Sequence, residues 1–181
     1  MHPQESIGIV RAVRLAACIC ACLAAGAAAA LESPAEIGVA DPGPQQHLTY
    51  RADGIEWRPG PGSLAAGARM SLLEGDPTAP GVFTMRIHLP DGFRIAPHWH
   101  PKPERVTVLS GTFLLGAGET MDPDKTQALE AGAYTAMPPG MRHFAIARGD
   151  TVIQLTSTGP WQITYVDPSD DPRRREPNEV D

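Results

Sequence analysis

From Val82 onward the sequence is a succession of short runs in which apolar and polar residues take turns. Phe83, Met85, Ile87 and Leu89 fall on one side of a period-two pattern, and Thr84, Arg86 and His88 on the other. That alternation is the mark of a strand with one buried face. Further strand-like runs are expected at residues 94–100, 104–109, 112–115, 134–137, 143–147, 151–156 and 162–166. Turn residues separate them at Pro90-Asp91-Gly92, Ser110-Gly111, Pro138-Pro139-Gly140, Arg148-Gly149-Asp150 and Gly159-Pro160. The chain holds 18 Gly and 19 Pro in 181 residues and no convincing amphipathic helix. Many short strands at this spacing predict a single all-β domain, a sandwich or barrel over residues 68–166. The length suits one domain with a real core rather than two.

The flanks differ in kind. Arg11 and Arg14 precede a charge-free, Ala-rich run at 15–31 that ends in small residues. A basic segment, an apolar segment and a small-residue site predict a secretory signal peptide over 1–30, and hence a periplasmic or secreted protein. The run is short and weakly apolar for a membrane span. Leu15-Ala16-Ala17-Cys18 resembles a lipobox but precedes the apolar run, where a lipidation site would follow it. All three cysteines (Cys18, Cys20, Cys22) lie in this leader, so the mature chain would have only nitrogen and oxygen ligands for a metal. Residues 31–67 read as a flexible lead-in with the first irregular segments, order resuming near Met70, and 167–181 as a disordered, charged tail containing Arg173-Arg174-Arg175. A formal net charge of −6 argues against nucleic acid as a partner, and no membrane contact is expected once the leader is removed.

The chemical information is concentrated between Gly92 and His143. Residues 92–111 read G-x5-H-x-H-x3-E-x6-G, and residues 132–143 read G-x5-P-x-G-x2-H. His98 and His100, two apart on a strand, point to one face. Glu104 opens the next run with Val106 and Val108 on its side. Pro139 and Gly140 suit the centre of a type II turn that delivers His143, followed by Ala145 and Ala147. Three imidazoles and one carboxylate form a set suited to one divalent transition metal ion: Fe, Mn, Zn, Ni or Cu. The apolar neighbours predict a small, apolar pocket. His47 and His88 read as ordinary surface or strand residues.

At these positions the chain resembles the cupin superfamily. Gly92, His98, His100, Glu104 and Gly111 match its first motif, and Gly132, Pro138, Gly140 and His143 its second. Ala147 departs from the Asn usual there, so any polar role of that Asn is missing. The resemblance implies a jelly-roll β-barrel enclosing a metal held by His98, His100, Glu104 and His143, and a possible homodimer formed through outer strands.

Cupins resembling this one include dioxygenases, isomerases, lyases, sugar-binding modules and sensors, so the fold alone selects no reaction. No acid or base stands beside the ligands in sequence; Tyr134, Gln154 and Tyr165 are the polar candidates for the pocket. The leading expectation is a metal-dependent oxidoreductase, most simply a dioxygenase acting on a small organic molecule. The alternatives are a Zn-dependent lyase or isomerase, and a non-catalytic metal or ligand sensor similar to the cupin domain attached to some anti-sigma factors, whose additional helical domain is lacking here. Neither G-x-S-x-G nor H-E-x-x-H occurs, which leaves nucleophilic hydrolases and zincins without support.

Overall fold

The computed structural model describes residues 47–174; the expected leader, residues 31–46 of the lead-in and residues 175–181 of the tail lie outside them. The described strands are β1 (Arg58–Pro59), β2 (Arg69–Glu74), β3 (Gly81–Leu89), β4 (Arg94–Trp99), β5 (Glu104–Ala117), β6 (Thr126–Glu130), β7 (Tyr134–Met137), β8 (His143–Gly159) and β9 (Thr164–Tyr165). All their pairings are antiparallel. No helix among the described residues is long and apolar enough to cross a membrane.

The 17-residue β8 organises the sheet. One of its edges pairs with β5 along nearly its whole length, from Arg105↔Thr156 to Ala117↔His143. Its other edge is shared: β3 takes the C-terminal half, and β4 takes the N-terminal half from Arg94↔Ile146 to His98↔His143. β5 in turn pairs with β6 and β7. This is a jelly-roll arrangement whose two layers close over an apolar interior.

The alternation on β3 decides which side that interior takes. Phe83, Met85, Ile87 and Leu89 are buried, while the adjacent Val82 is 61% exposed. They meet Val106, Val108, Ile153 and Leu155 from β5 and β8. Each fully buried large apolar side chain is worth about 1.5–3 kcal/mol relative to exposure, so this face, not the outer one, sets the fold.

Two expected turns are continuations of strand. Residues 104–109 and 112–115 form the single strand β5, and 143–147 and 151–156 the single strand β8. Ser110-Gly111 is instead a β-bulge, with register shifts on both sides of Ser110. Gly111 sits at φ +72°, and a Cβ there would fall 2.5 Å from the Asp150 carbonyl oxygen and the Thr151 hydroxyl. Arg148-Gly149-Asp150 bends β8 without ending it, Gly149 donating its N–H to the Asp91 carboxylate at 2.6 Å. Residues 126–130, unassigned from sequence, form β6, because Leu129 is its single buried residue and the pattern is weak. Residues 168–174, read as solvated tail, instead make two 3₁₀ turns, Pro168–Asp170 and Pro172–Arg174. Arg173 anchors them by donating to the Ile163 carbonyl at 3.0 Å.

Candidate metal centre

A register shift in β4 places the first two histidines. Phe93, Ile95 and Pro97 are buried, so simple alternation would continue inward at Trp99 and turn His98 and His100 outward. The pairing with β8 slips between Ile95 and His98, where Pro97 has no N–H to give the ladder. One extra residue reverses the phase, and His98 and His100 face inward, 4% and 5% exposed. Glu104 and His143 are buried as well. Gly140, at φ +76°, occupies the third position of the turn closed by the Met141 N–H and the Pro138 carbonyl. Its own N–H donates to the His100 carbonyl at 2.8 Å. The turn is thereby pinned to the His98–His100 segment, and His143 emerges directly opposite His98.

The imidazoles are oriented alike. His98 Nδ1 lies 2.7 Å from the Ala96 carbonyl, His100 Nδ1 2.7 Å from that of Gln162, and His143 Nδ1 3.0 Å from that of Met141. A carbonyl only accepts, so each Nδ1 is the protonated donor, and a ring in its neutral form then presents its lone pair at Nε2. Burial, helped by the neighbouring His143 and His100, pushes His98 down to about 3, so that ring is neutral across the physiological range.

Glu104 Oε2 stands 3.3 Å from His100 Nε2 and 3.2 Å from His143 Nε2. His100 Nε2 and Glu104 Oε2 are nonetheless buried with no hydrogen-bond partner among the described residues. Burial raises the Glu104 carboxyl, and positive charge or Nε2 protons on His100 and His143 would outweigh it and hold the group below the usual carboxylate range; with both rings neutral and Nδ1-protonated, that positive charge falls to a bound cation. Lone pairs converging on a shared point without a proton between them are unstable unless a cation occupies that point. The candidate nitrogens of His98, His100 and His143 all lie within 4.8 Å of one another, so these three residues could hold a metal ion. Ligand atoms bound about 2.1 Å from one ion stand about 3.0–3.4 Å apart, the range of both contacts to Glu104. The residues therefore fit a divalent ion of the nitrogen- and oxygen-ligated kind.

The cluster lines a cavity of about 230 Å³. Its walls are largely apolar, with Leu64, Met85, Ile87, Ile153 and Leu155 among them. Of the neighbours expected inside, Ala145 lines it, whereas Val106, Val108 and Ala147 are buried behind it.

Tyr134, Gln154 and Tyr165 do not line this cavity. Tyr134 is 60% exposed, on an outward position of β7. Gln154 lies between the inward Ile153 and Leu155, and its carbonyl accepts from Arg86 Nε at 3.3 Å. Tyr165 is buried opposite His98, but its hydroxyl is committed to the Ser63 carbonyl at 2.6 Å. Of the two histidines read as ordinary, His47 is exposed and His88 is half-buried with its ring edge against Trp57.

Sequence reasoning missed Trp161, which stacks on His100 at 4.1 Å and 18°, and Arg173, which reaches the cavity from the C-terminal segment. A tryptophan next to a strand run was the available hint for the first. For the second, the basic run of which Arg173 is part carried no indication of what it would face.

Fold and cluster together define a small cupin with a candidate metal centre. Residues 45–162 match the family described as the ChrR cupin-like domain, and the chain belongs to that family. No curated protein matches it. Among solved structures it is similar to the polyketide cyclase RemF of Streptomyces resistomycificus, with 17% identity over 71% of this chain and 91% of that one, and a TM-score of 0.57. A candidate acetylacetone dioxygenase from Methylibium petroleiphilum is 21% identical over 71% and 87% of the two chains, with a TM-score of 0.55. A sugar phosphate isomerase of the cupin superfamily from Silicibacter pomeroyi is 21% identical over 65% and 80%, with a TM-score of 0.51. At these identities the likeness is one of fold.

Proposed function

We propose that this chain is a metal-dependent oxidoreductase, of the dioxygenase type, acting on a small organic molecule, with His98, His100, His143 and Glu104 as ligands. One observation carries the reading. The cluster opens into a cavity in which, among the described residues, the only titratable side chains are the four ligands and Arg173. An ion bound there supplies redox and Lewis-acid chemistry. The protein's part is to hold three imidazoles in one tautomer through the Ala96, Gln162 and Met141 carbonyls, and to exclude water with an apolar wall.

A Zn-dependent lyase or isomerase is less well supported, because it calls for a proton-shuttling side chain beside the substrate, and none of Tyr134, Gln154 and Tyr165 lines the cavity. The same shortage of acid and base groups favours one second reading, a non-catalytic ligand sensor. The leader expected at residues 1–30 supports loading outside the cytoplasm, where the stability order favours Cu(II) or Zn(II).

Oxygen consumption by the metal-loaded chain with a panel of phenols, diketones and thiols tests the proposal. Uptake with at least one substrate class, abolished in Glu104→Ala and His143→Ala, is expected. Uptake that persists after the metal is stripped contradicts it, and ligand-induced thermal shifts without any uptake select the sensor.

A further inference from the structure

Arg173 is the one lysine or arginine on the cavity wall among the described residues. Its Nε and Nη2 donate to the two oxygens of Asp171, each at 2.7 Å, and Nη2 donates also to the Ile163 carbonyl at 3.0 Å. No hydrogen bond of the described residues uses Nη1, which leaves two N–H donors of the fork uncommitted. Asp171 does not line the cavity. The carboxylate thus holds the guanidinium from off the cavity wall, while Arg173 itself borders the cavity. The Arg173 side chain is 45% exposed and that of Asp171 16%, which places the arginine at the rim.

The anchoring relates Arg173 to the histidine cluster. His100 is tied to the carbonyl of Gln162 and Arg173 to that of Ile163. Consecutive Cα atoms are about 3.8 Å apart, so one short segment of backbone sets the positions of both side chains. Apart from these groups the wall is mostly hydrocarbon, which grips a ligand's body without distinguishing its charge. A fork with two spare, directed donors does distinguish it, since charge-assisted hydrogen bonds are about twice as strong as neutral ones.

We infer that Arg173 is a specificity-determining residue of this cavity, and that Nη1 receives the carboxylate, or an equivalent anionic oxygen group, of a small ligand whose apolar body lies against Leu64, Ile153 and Leu155. This rests on the reading that the cavity takes a small molecule, but it concerns recognition and not turnover. A purely structural arginine, pinning the C-terminal segment, would influence charged and neutral ligands alike.

Calorimetric titration of the zinc-loaded full chain with benzoate and with benzamide, one ring carrying a charged or a neutral head, separates the two roles. The wild-type chain should prefer benzoate. Arg173→Gln should weaken benzoate roughly tenfold or more and leave benzamide within about twofold, and Arg173→Lys should fall between for benzoate. Zinc content, measured alongside, should be equal in all three proteins. Benzoate affinity unchanged in Arg173→Gln, equal losses for both ligands, or no binding of benzoate by the wild-type chain would each overturn the inference. Should the chain hold no zinc, the same titration on the metal-free chain decides the role of Arg173 independently of the metal reading.

Discussion

Along β8, His143, Ala145, Ile153 and Leu155 border the cavity, whereas Gln154 and Thr156 face outward. There they meet Arg86 and Thr84 of β3, at 3.3 Å and 3.1 Å. The two faces are made of residues one position apart, and their polar groups serve different ends. Outside, Gln154 and Thr156 each answer a polar group across the strands, although His88 Nδ1 on β3 is buried without a partner. Inside, the Nδ1 atoms are satisfied by backbone carbonyls, while His100 Nε2 and Glu104 Oε2 are left without partners. Buried polar atoms without partners are costly, so a fold that brings two of them within 3.3 Å of each other is arranged for something to be bound there.

If position rather than residue type separates these faces, backbone changes that disturb the register should have the largest effect on stability. Gly111→Val combines a non-glycine residue at φ +72° with overlap against Asp150 and Thr151. It should cost about 3 kcal/mol in urea unfolding; a loss below about 1 kcal/mol would mean the bulge adapts freely. Tyr165→Phe is smaller. It removes one buried hydrogen bond to Ser63, worth about 1 kcal/mol, and should leave metal affinity unchanged. A tenfold drop in that affinity would place Tyr165 in the site after all. The outer-face changes Gln154→Ala and Tyr134→Ala should alter stability by no more than about 0.5 kcal/mol and metal binding not at all. A larger response in either would erase the contrast between the faces.

Which parts were legible from sequence follows from the same geometry. The alternation of Phe83, Met85, Ile87 and Leu89 reports one buried face directly, and the spacing of His98, His100, Glu104 and His143 points to the cluster. The spacing does not show that His98 and His100 reach the interior only through the slip at Pro97, because a bulge leaves no periodic trace of its own. Ser110-Gly111 and Arg148-Gly149-Asp150 look like turns since a bulge and a turn both recruit glycine for positive φ. Tyr165 was expected in the pocket, and its ring does lie near His98, but no sequence pattern announces that Ser63, 102 residues away, takes its hydroxyl. The segment at 168–174 was hidden by composition: charged, Pro-rich sequence normally stays in solvent, and Asp171 and Ile163 fix it here by specific bonds to Arg173.

The central claim is that His98, His100, His143 and Glu104 jointly hold one cation, and titration of the chelator-treated chain with Co(II), followed by its visible d–d absorption, tests it most directly. The account predicts saturation at one ion per chain, with affinity reduced by about a hundredfold or more in each of the His98→Ala, His100→Ala and His143→Ala variants. A chain that takes up no Co(II), or takes it up equally well in all three variants, would contradict it.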